Sequence, residues 1–226
     1  MRIRVRHVYD FGPERGVVGS SLLAPAAWDA ARSLPGPFEL AATRGAWEAS
    51  AERGDLRERA RDVVSVARAL GAASLCSYGV GTASLELNIH RLAPDLKLVC
   101  TDFAPLTVER LHRLFPEAEV LLRDLAGSES PPADLHLMHR LDAELDDDAW
   151  RSVIAAIESP ILFVPNVVLD LPGAAREVAR RVLRRGTVTD AGWFRNEAAL
   201  RALWSDSHTD RELAVSRSRA FLLEPR

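Results

Sequence analysis

The sequence predicts an α/β fold: a doubly wound, mostly parallel sheet covered by helices on both faces, with a helical N-terminal cap. From Ser74 onward, short apolar runs bounded by Gly, Pro and Asp alternate with stretches of helical periodicity, the pattern of parallel strands joined by crossover helices. The first of these strands runs into Ser77-Tyr78-Gly79-Val80-Gly81-Thr82-Ala83, a glycine turn that opens a helix. The next strand, Leu98-Val99-Cys100-Thr101-Asp102, ends in a carboxylate twenty-three residues after Gly79. The glycines let a ligand lie against the backbone, and the carboxylate can accept hydrogen bonds from both hydroxyls of a ribose.

Residues 1–54 differ in texture from the rest. Pro25, Pro35 and Pro37 interrupt them and Trp28, Phe38 and Trp47 are scattered between, so they read as a largely helical lid or substrate cap, its aromatics either core anchors or pocket walls. Residues 55–226 form the ligand-binding domain. Asp55 and Glu58 mark the start of a helix whose Leu56, Ala60, Val63, Val64, Ala67 and Leu70 share one face, and Gly71 ends it. After the glycine turn, Leu85, Ile89 and Leu92 give the buried stripe of a helix that Pro94 closes. Pro105 suits the first turn of the next helix, carrying Val108, Leu111 and Phe115. Strands follow at 118–122, 133–139 and 160–165. Asp146, Asp147 and Asp148 favour a helix N-terminus with Trp150, Val153, Ile154 and Ile157 inside. A helix bearing Val178, Ala179, Val182 and Leu183 ends at Gly186, with Arg180, Arg181, Arg184 and Arg185 as its solvated face. Asn196 to Trp204 gives another helix, and 212–216 with 219–223 a closing antiparallel pair.

Composition narrows the function. With 226 residues, 47% hydrophobic, the chain can bury a full core, and its net charge of −3 argues against nonspecific nucleic-acid binding. Cys76 and Cys100 have no metal or disulfide spacing, so no metal is expected and a reducing interior is. No apolar run is long enough to cross a membrane, and the N-terminus has no signal-peptide core; a cytoplasmic protein is expected. The oligomeric state is open.

The glycine turn lacks the third glycine of a dinucleotide fingerprint, since Ser84 holds that position, and no phosphate loop occurs. From about Ser74 to the C-terminus the chain instead resembles the class I S-adenosylmethionine-dependent methyltransferases, whose first motif is roughly acidic-x-G-x-G-x-G. Ser77 stands where that family usually has Asp or Glu, and Ala83 where it usually has the last Gly. The resemblance implies a Rossmann-like methyltransferase fold, S-adenosyl-L-methionine as cofactor and a small-molecule acceptor methylated on oxygen or nitrogen. A noncatalytic protein that keeps the fold and serves as a binding partner or scaffold is the alternative.

Ligands of such sheets sit beyond the carboxyl ends of the strands. That rule and the resemblance together select Ser77, Gly79, Gly81, Asp102, Phe103, Asp124 and Leu125 for the cofactor. Asp124 resembles the family's adenine contact, and Asp102 and Asp124 also suit ordinary turn caps. His139, after the fourth strand, is the candidate catalytic residue, with the right intrinsic pKa to take a hydroxyl proton. His136 reads as packed. Trp193, Phe194 and Arg195 are further candidates for the acceptor pocket.

Overall fold

The computed structural model describes residues 1–9, 24–36, 38–52, 54–183 and 189–226. Expectations that fall on residues 10–23, Pro37, Arg184, Arg185 and Gly186 lie outside the described residues.

The N-terminal segment opens with a strand, β1 (Arg4–Tyr9), followed by α1 (Pro25–Ser33) and α2 (Arg44–Ala51). Pro25 starts α1 and Thr43 caps α2, its hydroxyl accepting from the Ala46 N–H. In α3 (Leu56–Ala69) the expected capping acid behaves differently: the Asp55 side chain accepts from no helix N–H, and its carboxylate receives the Arg59 guanidinium at 2.7 Å. Gly71 closes that helix at φ +67°, a conformation open to glycine.

The alternating region follows as β2 (Ser74–Tyr78), α4 (Ser84–Leu92), β3 (Lys97–Asp102), α5 (Pro105–Leu114), β4 (Glu119–Leu122), β5 (Leu135–His139), α6 (Asp147–Ala155), β6 (Ile161–Val164), β7 (Val168–Leu169) and α7 (Leu171–Leu183). Then come β8 (Thr189–Asn196), α8 (Glu197–Arg201), β9 (His208–Val215) and β10 (Ser218–Pro225). Asp146 and Asn196 cap α6 and α8 with their side chains. Seven strands form one sheet in the order β4-β3-β2-β5-β6-β10-β9, parallel from β4 to β6 and closed by the antiparallel pair β10 and β9.

Alternation along the parallel strands sends their side chains to two separate cores. Leu75, Cys100, Leu137 and Leu162 face the helices α2 to α5, while Cys76, Val99, Met138 and Phe163 face Trp150 and Ile154 of α6 and Trp204. Trp47 of α2 belongs to the first core. It is fully buried, packs against Phe115 and donates its indole N–H to the Thr82 carbonyl at 2.6 Å.

A second, three-stranded sheet has the order β1-β8-β7. The described part of residues 1–54 is therefore two helices plus a strand, and the strand was not expected. Trp193, Phe194 and Arg195 lie in β8, not in a loop before α8. Trp193 is flanked by Arg4 and Arg6, at 4.1 and 4.9 Å from its ring centre. Among the described residues no helix is long and apolar enough to cross a membrane.

Because Trp47 is at once a core side chain and a hydrogen-bond donor to the glycine turn, Trp47→Ala should cost about 3 to 5 kcal/mol of stability. Chemical denaturation followed by circular dichroism measures this; a loss below about 1 kcal/mol would place α2 outside the cooperative core.

Candidate functional site

After β2 the chain crosses to β3 and β4 on one side of the sheet, then returns to β5 on the other, so a crevice opens between the ends of β2 and β5. The crevice holds a cavity of about 560 Å³. Gly79, Gly81, Asp102, Phe103, Asp124, Leu125 and His139 line it, which brings together every residue selected for cofactor binding or catalysis except Ser77, while the acceptor-pocket candidates Trp193, Phe194 and Arg195 lie outside the lining.

The glycine turn supplies the floor. Gly79 and Gly81 have φ of +56° and +60°. A Cβ on Gly79 would lie 2.5 Å from the Leu141 side chain, and one on Gly81 would lie 3.5 Å from the Arg32 guanidinium. Ala83, where a third glycine was missing, still adopts the left-handed conformation at φ +50°, at a cost of about 1 kcal/mol relative to glycine.

Asp102 sits at the centre of this floor, 1% exposed. One carboxylate oxygen accepts from the Gly81 N–H at 2.9 Å; the other accepts from the Ala104 N–H and from Arg32 Nη1, both at 3.0 Å. Arg32 comes from α1 and also donates to the Thr107 hydroxyl at 2.7 Å. Its neighbour Asp29 accepts from the N–H groups of Leu106 and Thr107, at 3.2 and 3.0 Å, and so caps α5 from a different helix. Trp28, Arg32 and Phe38 bring this first helical segment into the cavity wall.

Ser77 is buried below the floor, outside the cavity lining. Its hydroxyl donates to Glu86 Oε1 at 2.6 Å. A carboxyl therefore does lie beside this strand position, carried on α4 nine residues later instead of on β2 itself. Burial pushes the Glu86 pKa up to about 7. Asp124 does two things: its carboxylate accepts from the Ala126 N–H at 3.0 Å, an ordinary turn cap, and the residue also lines the cavity.

The loop after β5 forms the opposite wall. Arg59 Nη1 donates to His139 Nε2 at 3.2 Å, so this ring nitrogen is the acceptor and the imidazole keeps its proton on Nδ1. Burial, then the charges of Arg59 and Arg140, lower the His139 pKa to about 3. The ring is neutral at any ordinary pH, and the lone pair that would take a proton is already engaged.

Further along this loop stand two carboxyls: Asp142, which falls just past the fourth strand where ligands of such sheets are expected, and Glu144, which sequence reading did not single out. Asp142 is fully buried; one oxygen accepts from the Asn166 N–H at 2.5 Å and the other has no partner. Burial raises its pKa to about 7. Glu144 lines the cavity, and burial followed by the charge of Asp142 raises its pKa to about 8. Within Asp142-Ala143-Glu144-Leu145-Asp146-Asp147-Asp148 the acidic run reads as a helix start, so nothing local marks Glu144 as facing a cavity.

Arg195 fixes this loop from behind, not from the acceptor pocket. Fully buried, it donates to the carbonyls of Asp142, Trp193 and Leu145 and to the Asp147 carboxylate. Phe194 stacks on His7 at 3.8 Å. Gly192 allows the close approach: a Cβ there would fall 1.5 Å from the Ala143 carbonyl oxygen.

No protein-family model matches the chain, and no curated protein matches it either. Solved structures do. Human N-acetylserotonin methyltransferase in complex with S-adenosylmethionine superposes with a TM-score of 0.59 and 18% identity over 81% of this chain and 56% of that one. The mitomycin 7-O-methyltransferase MmcR gives 0.61 and 17% over 97% and 80%. CalO1, a methyltransferase of calicheamicin biosynthesis with S-adenosylhomocysteine bound, gives 0.56 and 22% over 74% and 54%. The chain thus has the fold of S-adenosylmethionine-dependent methyltransferases, and it spans 56% of the length of the first of these.

The buried carboxyls set a pH dependence. Their folded pKa values are raised, so the stability they contribute is full below the unfolded values near 4 and is lost as pH rises through about 7 for Asp142. Asp142→Asn should therefore flatten the fall in melting temperature between pH 5 and 8.5. Scanning calorimetry of both proteins across that range tests it, and parallel curves would contradict it.

Proposed function

We propose that the protein is an S-adenosylmethionine-dependent methyltransferase acting on a small molecule, with oxygen favoured over nitrogen as the acceptor atom. One observation carries the reading: the Asp102 carboxylate lies beside a Gly79–Gly81 turn at the floor of the cavity, in the crevice where this fold takes its ligand. The residues fit the group. Asp102 offers its remaining acceptor lone pair to a ribose hydroxyl, the glycines offer backbone without side chains, and Phe103, Asp124 and Leu125 line the side where a base would rest.

When bound, the cofactor supplies an electrophilic methyl group on a sulfonium. The chain's part is to hold both reactants in line and keep water out. Trp28 and Phe38 offer aromatic surface to an acceptor, and a cavity of about 560 Å³ suits a small molecule beside the cofactor. His139 serves in this reading as a neutral wall residue with only Nδ1–H left to donate; its engaged Nε2 argues against a general base. The preference for oxygen follows the O-methyltransferase whose structure covers 97% of this chain.

A second reading, a fold that has given up the cofactor, draws on one observation: Arg32 lies against Gly81 and already holds one oxygen of Asp102. Calorimetric titration with S-adenosylhomocysteine separates the two. The wild type should bind, and Asp102→Ala should bind ten- to a hundredfold more weakly, a loss of about 1.5 to 3 kcal/mol for the charge-assisted hydrogen bond to the one lone-pair site that the protein leaves open. Asp102→Asn, which keeps the side-chain shape, guards against a folding defect. Equal affinity in wild type and variants would remove Asp102 from the site, and a wild type that binds nothing would favour the second reading.

A further inference from the structure

Glu144 is the cavity residue whose surroundings have no use in the fold. Its backbone N–H bonds to the Leu141 carbonyl, and no described residue forms a hydrogen bond or ion pair with its carboxyl. The charged groups that face it come from three elements: Asp142 on its own loop, Asp102 at the end of β3 and Arg32 on α1. Arg32 is committed to Asp102 and Thr107. The other charged groups around the cavity are Arg123 and Asp124 after β4, and Arg140 and Asp146 on the β5 loop; Arg140 donates to the Asn166 side chain at 3.1 Å. A desolvated carboxyl beside two other carboxyls and without a cation of its own is biased towards the neutral form. A positive ligand in the same cavity reverses that balance, because it supplies the missing counter-charge.

We propose that Glu144, the unpaired carboxyl of the cavity wall, is the residue by which this site distinguishes charged cofactor from spent product, by serving as counter-charge to a sulfonium-bearing ligand in the cavity. The inference rests on the function proposed above. S-adenosylmethionine and S-adenosylhomocysteine share adenine, ribose and the amino-acid moiety and differ at sulfur, which is cationic in the first and neutral in the second. The first ligand draws a proton off Glu144 and the second does not. Site and ligand are then matched in charge before transfer, and the match is lost once the sulfur is neutral, which favours release of the product.

The sign follows from linkage. A ligand that prefers ionised Glu144 binds more tightly as pH rises towards the free carboxyl's pKa of about 8, and levels off above it. The ratio of the two affinities cancels every titration that both ligands feel equally. Calorimetric titration of the whole protein with each ligand from pH 6 to 8.5, in pairs of buffers with different ionisation enthalpies, gives both the ratio and the proton count. In the wild type the preference for S-adenosylmethionine should rise roughly tenfold over this range, the equivalent of a shift of about one pH unit in the carboxyl's titration, with proton release near pH 7 on binding S-adenosylmethionine only.

Glu144→Gln should flatten the ratio, weaken S-adenosylmethionine, and leave S-adenosylhomocysteine within about twofold. Asp142→Asn should keep the rise. A flat wild-type ratio, an unchanged rise in Glu144→Gln, or a rise that only Asp142→Asn removes would each overturn the inference while leaving the proposed function intact. Failure of the wild type to bind either ligand would overturn both. Should Glu144→Gln not melt cooperatively, the wild-type proton counts for the two ligands decide alone, equal counts being the overturning result.

Discussion

The Asp102 carboxylate is the constraint on which the rest of this molecule turns. Three donors from three parts of the chain converge on it: the Gly81 N–H fixes the glycine turn, the Ala104 N–H fixes the approach to α5, and Arg32 fixes α1. A buried carboxylate left without partners would be strongly unfavourable, so the three contacts are required by one another as much as by the fold. A carboxylate has about four lone-pair sites, and these donors occupy three. Whatever ligand takes the fourth shares its acceptor with α1. The floor of the cavity and the position of the N-terminal helix are thereby one structural variable, and Asp29, capping α5 from the same helix, reinforces the coupling.

The opposite wall is built by another means. The loop after β5 packs Leu141, Ala143 and Leu145 inward, and its backbone carbonyls are presented to a single buried guanidinium, Arg195. Arg195 has its charge answered by Asp147, which Arg4 of β1 also approaches at 3.2 Å. The small sheet thus serves as a buttress: β1 and β8 bring Arg4, Gly192 and Arg195 against the loop that carries Glu144. Neither wall is a helix or strand packed in the main sheet. Both are polar arrangements laid over it, which is how one sheet architecture supports sites of different chemistry.

That division also decides what could be read from the sequence. The strands and helices from Ser74 to Val164 were legible because burial on both sheet faces writes continuous apolar runs, and because Gly79, Gly81 and Asp102 are residue types tied to backbone geometry and to ribose chemistry. The strand β1 was not legible. Its Arg-Val-Arg-His alternation is that of a small, half-covered sheet, and its partner lies at the other end of the chain, with Arg4 opposite Arg195. Arg32 was missed for the same reason, its partner being 70 residues away. Ser77 shows the complementary failure. Position-by-position comparison saw a missing acid, whereas the fold brings Glu86 to Ser77 from the next helix.

The acid at Glu86 and those at Asp142 and Glu144 share one physical origin, burial that favours the neutral form, yet they are not equivalent. Glu86 is sealed beneath the glycine turn, where its second oxygen meets neither donor nor solvent, and Asp142 is closed behind the loop by the Asn166 N–H. Of the three, only Glu144 is both desolvated and open to the cavity. Sealed carboxyls meet no ligand directly, and Asp142 acts on the cavity only through its effect on Glu144. A carboxyl at the cavity wall converts the same desolvation into sensitivity to what occupies the cavity. The unfavourable surroundings of Glu144 are therefore what would make it useful: a well-paired carboxylate, such as Asp102, has already spent its response on the protein, whereas an unpaired one reserves it for the ligand.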